Sequence, residues 1–342
     1  MIEKSRLLYL DTARFIAIFF MVLSHAQAFY ATKDFSHSLV GASFDLLAGP
    51  PAAPVFMFSM GFLMLYNRSP KQVNAMRGLK ILVAGIALNI ARFVLPFLIS
   101  VAFQKEIPLE ILTAQPVGLT VLYLTFHIDI LLLAGVSYFL VAVLFKKEKL
   151  FIPVILFFAI AFISPHLWGI YSGNIAADLF LNLLWGTTAH VSFPLFPWLC
   201  FTFLGAWVGN RYFSANKMHG KPLFFVGLFL FVIGLIITAV DIDGQIGDYY
   251  RSGPGAVFLY SGFVVIWILI LKQIEALPQK MEAIIEYISR NLTSIYCIHW
   301  TVLGWLLLLI PLNSLGFDLF FLFFALVFMV SAIIAKYVRI KL

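Results

Sequence analysis

The chain has 342 residues, of which 62% are hydrophobic, 17% aromatic and only 11% charged. A soluble domain carries roughly 25% charged residues, so a water-facing globular protein is excluded, as are a disordered chain and a disulfide scaffold. The net charge of +7 is gathered in short clusters between apolar runs, which is the pattern of membrane orientation rather than of a nucleic-acid-binding face.

Apolar runs of about 18 residues or more can cross the hydrocarbon core as helices. In chain order these fall at 7–30, 49–66, 78–103, 118–145, 150–171, 194–212, 222–241, 254–272, 284–310 and 317–336. The expectation is an all-α, polytopic integral membrane protein of about ten transmembrane helices. It forms one transmembrane domain over 1–342 and sits in the lipid bilayer of the cell's inner (plasma) membrane.

The connections alternate in charge. The basic ones are the N-terminus (Lys4, Arg6), 67–77 (Arg68, Lys71, Arg77), 146–149, 211–221 (Arg211, Lys217, Lys221), 272–280 and the C-terminus. The others carry Asp34, Asp45, Glu106, Asp178, Asp241 and Asp318. Basic loops stay inside, so both termini are expected in the cytoplasm and odd-numbered helices run outward. Lys4, Arg6 and the apolar run 15–24 resemble a cleavable leader. Asp11 and Arg14 interrupt that pattern, so the segment is expected to stay as the first helix.

Ionisable side chains at membrane depth cost a few kcal/mol, roughly 2.5–3.5 on insertion scales, and are default site candidates. Here they are Asp11, Arg14, His25, Arg92, His127, Asp129 and His299. Asp11 and Arg14 are three residues apart, and Arg14 and His25 are eleven apart, about three turns, so all three lie on one stripe of the first helix. His25 is about 16 Å further out than Arg14. His299 reaches a similar depth on its own helix. Arg92 needs a carboxylate, and Asp129 or Asp11 is the nearest choice. Structural ion pairing is the plain alternative to function for each of these charges.

One weak internal echo is present. Pro51-x-x-Pro54 leads to Phe58 and Asn67-Arg68, and Pro194-x-x-Pro197 leads to Phe201 and Asn210-Arg211 at the same offsets. Cys200 and Cys297 sit inside apolar runs without metal-ligand spacing, so no metal is expected.

The stretch from Arg6 to Arg14, with His25 after ten further residues, resembles the opening of the transmembrane acyltransferases, and the Arg-x10-His spacing matches the acyltransferase-3 pattern. Three other stretches are similar to the heparan-α-glucosaminide N-acetyltransferase branch of that superfamily: Ala53–Gly61, Phe193–Trp198 and Leu292–Trp300. The resemblance runs from residue 6 to about 300. It implies an acyltransferase that takes acetyl-CoA or another acyl-CoA from the cytoplasm and acylates an extracytoplasmic acceptor, a carbohydrate or lipid-linked glycan of the cell envelope. It also implies an essential histidine, which is His25 in the acyltransferase-3 pattern and the loop residue His37 in the other branch.

The chemistry requires a proton acceptor for a hydroxyl or amine as it attacks the thioester, and neutral imidazole suits that role. Arg14 would meet a CoA phosphate, with Asp11 ordering it. Arg68, Arg77 and Lys80 would add to the cytoplasmic CoA site, although positive-inside anchoring explains these three equally well. No glycine-rich phosphate loop is present. Trp198, Asn291 and Ser294 are candidate donors to the tetrahedral oxyanion, and His299 is a candidate for the acceptor pocket. A proton-coupled secondary transporter of a small polar solute is the alternative on composition.

Overall fold

The computed structural model describes residues 6–67, 70–104, 116–145, 151–188, 190–215, 220–274, 276–338 and 340. In chain order the helices are α1 Leu8–Tyr30, α2 Lys33–Ser36, α3 Leu39–Ala48, α4 Ala53–Asn67, α5 Lys71–Asn89, a π-helical turn Ile90–Val94, α6 Leu95–Ala102, α7 Val117–Thr125, α8 Ile130–Leu144 and α9 Ile152–Leu167. They continue with α10 Ile175–Trp185, α11 Leu195–Ala215, α12 Gly220–Val240, α13 Ile242–Ile246, α14 Pro254–Leu271, α15 Gln279–Arg290, α16 Leu292–Leu306 and α17 Phe317–Tyr337. Among the described residues there is no strand, and two isolated bridges join Ala31 to Leu315 and Ile128 to Val191.

Among those residues, six helical segments are long and apolar enough to cross a membrane: Leu8–Tyr30, Leu39–Asn67, Lys71–Ala102, Gly220–Val240, Pro254–Leu271 and Phe317–Tyr337. Ile130–Leu144, Ile152–Leu167, Ile175–Trp185 and Leu292–Leu306 are shorter apolar helices. The runs expected at 7–30, 254–272 and 317–336 match α1, α14 and α17 to within a residue or two.

Two expected runs are broken, each by a polar side chain that competes for the helical backbone. The run 118–145 divides at 126–129. There the Asp129 carboxylate caps α8, accepting from the Leu131 N–H at 2.9 Å and the Leu132 N–H at 3.4 Å. Asn89 Nδ2 donates to the carbonyls of Thr125 and His127 at 3.1 and 2.8 Å, satisfying groups that a helix end leaves open. The run 284–310 divides at Asn291, whose Nδ2 donates to the Tyr287 carbonyl at 2.8 Å. The preceding α15 is amphipathic, with Ile285, Ile288 and Ser289 buried and Met281 and Ile284 exposed. The expected outer loops also contain helices: α2 and α3 are capped by Thr32 and Ser38, and α10 by Asn174.

The chain forms two compact units. One takes both ends of the chain, up to Phe56 and from Phe263, and the other takes Met57–Gly262. In the first, α1 is the central post, packed against α3, α15, α16 and α17. Gln27 Nε2 donates to the Gly41 carbonyl at 3.2 Å and to Asp45 at 3.1 Å. The buried Tyr30 hydroxyl donates to the Leu303 carbonyl at 2.5 Å.

In the second unit α5 packs on α8, and α9 and α10 on α11. The two echo helices also meet here. A Cβ on Gly205 would run into the Phe58 carbonyl, one on Gly209 into the Phe62 carbonyl, and one on Gly61 into the Thr202 carbonyl. Gly205-x-x-x-Gly209 is thus a small-residue face that lets α4 and α11 approach backbone to backbone, which is how helices associate when lipid removes the hydrophobic drive.

Candidate functional site

The first unit brings together two of the intramembrane histidines. His25, half-buried on α1, places Nδ1 3.0 Å from Nε2 of the fully buried His299 on α16. The ring planes differ by 5° and the centroids are 5.3 Å apart, so the imidazoles lie edge to edge in one plane with the hydrogen bond between them. His299 Nδ1 lies 2.9 Å from the Ile295 carbonyl.

This second contact assigns the proton positions of the neutral pair. A carbonyl only accepts, so His299 Nδ1 carries a hydrogen. In the neutral ring Nε2 is then the acceptor, and it takes the proton of His25 Nδ1–H. His25 Nε2 is left with a lone pair, the form a general base needs. The Trp300 ring packs against His25 at 4.3 Å, tilted by 39°, and Tyr296 meets His299 edge-on at 5.5 Å. Sequence reasoning did not single out Trp300 and Tyr296. The available signal was Tyr296-x-x-His299-Trp300, a spacing that puts three rings on adjoining faces of one helix.

Asp11 occupies a different position on the same helix. Fourteen residues separate it from His25, about 21 Å along the axis. The three-residue spacing suggested Arg14 as its partner. The carboxylate instead pairs with Arg6 through Oδ2 and accepts the Ser289 hydroxyl at Oδ1, 2.6 Å away. Arg6 continues to Glu286 Oε1 at 3.0 Å, and Arg290 closes on the same oxygen at 2.5 Å. Asp11 therefore anchors the start of α1 to α15. Arg14 is half-buried one turn further along. His37 is exposed at the C-cap of α2.

The two proposed oxyanion donors of this unit have other partners. Ser294 Oγ accepts the Ile340 N–H at 2.9 Å. Asn291 holds the α15–α16 joint as described. They precede His299 by five and eight residues, about 8 and 12 Å along the helix, so neither shares its turn.

In the second unit Trp198 is buried among Phe193, Phe201 and Tyr249, and its indole N–H donates to the Tyr250 carbonyl at 2.8 Å. That is the ring's single donor, so Trp198 holds the 249–251 turn and has no hydrogen to offer an oxyanion. Arg77 is half-buried and Lys80 exposed, one turn apart on α5. Arg68 lies outside the described residues. Arg92, on the π-helical turn, pairs with Asp129 at 2.7 Å, the first of the two carboxylates weighed for it. It also donates to Asn89 Oδ1 at 2.8 Å and lies over the Phe93 ring at 4.4 Å. His127 Nε2 is 3.3 Å from the Ser192 hydroxyl.

Comparison with curated proteins finds no match. The acyltransferase-3 family profile, described as an acyltransferase domain, matches residues 7–336. An acyltransferase family lends no support to the carrier alternative. Together with the apolar helices it makes the protein a multi-pass integral membrane protein. The match covers nearly the whole chain, from the start of α1 to the end of α17: the protein belongs to the acyltransferase-3 family.

Proposed function

We propose that the protein transfers an acyl group, acetyl in the simplest case, from cytoplasmic acyl-CoA to a hydroxyl or amine of a sugar or lipid-linked glycan on the far side of the membrane, with His25 as general base. The observation that carries this reading is the chain His25 Nδ1, His299 Nε2, His299 Nδ1, Ile295 carbonyl, which leaves the basic lone pair on His25 Nε2. As the acceptor oxygen or nitrogen bonds to the thioester carbon, its proton passes to His25 Nε2. When the tetrahedral intermediate collapses the carbon–sulfur bond breaks, and the imidazolium returns the proton to the departing CoA thiolate. His299 shares the transient charge through the bond from His25 Nδ1. A positioned base of this kind is worth about 10²–10⁴-fold in rate.

The donor's phosphates are assigned to Arg14, which the charge pattern of the sequence puts near the cytoplasmic end of α1. Arg–phosphate contacts are charge-assisted and suit a polyanionic donor. The family and the intramembrane cation of α1 both favour an acyl-CoA donor.

The test uses purified protein in liposomes supplied with radiolabelled acetyl-CoA and no acceptor. A base that activates hydroxyls also activates water slowly, so slow release of labelled acetate is expected from the wild type and not from His25→Ala. Equal release from both would remove His25 from the role.

A further inference from the structure

The second unit holds an apolar cavity that the transfer reaction does not use. It has a volume of about 390 Å³ and lies between α9, α11 and α12. Its walls are two turns from each helix: Val154 and Phe158, Phe203 and Trp207, Phe225 and Phe229. Within each pair the residues are four apart, so each helix presents one face to it. Phe158, Phe225 and Phe229 are exposed. The cavity is therefore a groove that opens sideways from the helices, where a membrane protein meets hydrocarbon.

The groove lies at one end of these helices. Val154 is in the first turn of α9, Phe225 is five residues into α12, and Trp207 lies two turns before the end of α11. That end is basic. The Arg211 guanidinium lies over the Trp207 ring, 5.3 Å from its centroid, which brings a cation to the groove wall itself. The exposed Lys221 begins α12 one turn before Phe225.

We infer that this groove is a binding site for an anionic phospholipid, with one acyl chain lying along the aromatic faces of α9, α11 and α12 and the headgroup phosphate on Arg211. A wholly apolar groove with a cation stacked at its mouth matches such a lipid at both ends. A zwitterionic lipid fits the chain but gains less at the headgroup, because its own cation opposes Arg211. One surface arginine near an anionic headgroup gives about a five-fold preference.

The groove contains Trp207, so the site has its own reporter. The experiment reconstitutes the full chain in bilayers doped with phosphatidylglycerol or phosphatidylcholine brominated on the acyl chains and measures tryptophan quenching. The chain has seven tryptophans, so the groove is read as the Trp207 contribution, wild type minus Trp207→Phe, which should reach half-maximal quenching at about five-fold less brominated phosphatidylglycerol than phosphatidylcholine. Trp207→Phe should lose that preferential component, and Arg211→Gln should keep quenching but lose the preference. Equal quenching of the Trp207 contribution by the two lipids, or an unchanged preference in Arg211→Gln, overturns the proposal. So would cross-linking of Phe229→Cys between two copies in the membrane, which would make this face a protein interface. If Trp207→Phe fails to fold, a spin label on Phe229→Cys gives the same comparison. None of these readouts depends on acyl transfer.

Discussion

His25 Nδ1 lies 3.0 Å from His299 Nε2: with His299 neutral and its Nδ1–H donated to the Ile295 carbonyl, His299 Nε2 accepts and His25 donates through Nδ1. On the proposed mechanism the lone pair on His25 Nε2 is placed by a backbone carbonyl two hydrogen bonds away. On that proposal His299 acts as a positioning residue, and its removal should act on the chemical step rather than on donor binding.

His299→Leu should lower kcat about 10–100-fold, the usual cost of losing a partner that orients a functional imidazole, with KM for acyl-CoA unchanged. His299→Gln offers a side-chain oxygen that accepts from His25 Nδ1–H and should recover part of the loss. Steady-state transfer in liposomes measures both. Equal activity of the Leu and Gln variants would assign His299 to packing alone.

Arg14→Ala should weaken CoA binding by about ten-fold or more, because a charged donor to phosphate contributes roughly 1.5–3 kcal/mol. Equilibrium binding of CoA to purified protein checks this. Asp11→Asn acts elsewhere: it loosens the Arg6–Asp11–Ser289 link between α1 and α15 and should lower the melting temperature while leaving CoA affinity unchanged in the folded fraction.

Asp129 joins two elements, through its pair with Arg92 on the π-helical turn and its cap on α8. Both charges are buried. Asp129→Ala leaves the guanidinium without its carboxylate and should cost about 3–5 kcal/mol. Thermal unfolding in detergent should show a large loss, whereas the double change Arg92→Met with Asp129→Leu should restore much of it.

Helix positions were largely legible in the sequence because apolar length is a strong signal in lipid. The two broken runs share one physical source. At Asp129 and Asn291 a short polar side chain captures backbone groups and breaks a helix that hydropathy alone would continue. The depth argument put His25 and His299 at a similar level, but periodicity cannot say which faces of two distant helices meet, and the 3.0 Å contact became visible only in three dimensions. Asp11 shows the same limit: spacing along one helix suggested Arg14, whereas folding supplied Ser289, 278 residues away. Trp198 was of the right chemical type for an oxyanion, yet its single N–H is already bonded to the Tyr250 carbonyl, and Ser294 lies five residues, about 8 Å, before His299 along the helix.

The most direct measurement compares acetyl transfer to an extracytoplasmic acceptor by wild type, His25→Ala and His37→Ala in sealed vesicles supplied with labelled acetyl-CoA, with folding and CoA binding checked in parallel. His25→Ala should keep its fold and its CoA affinity and lose transfer by about 10²-fold or more, while His37→Ala, altered at an exposed cap, should transfer at close to the wild-type rate. A folded His25→Ala protein with full transfer activity beside an inactive His37→Ala protein would contradict the assignment and move the base to the loop after α2.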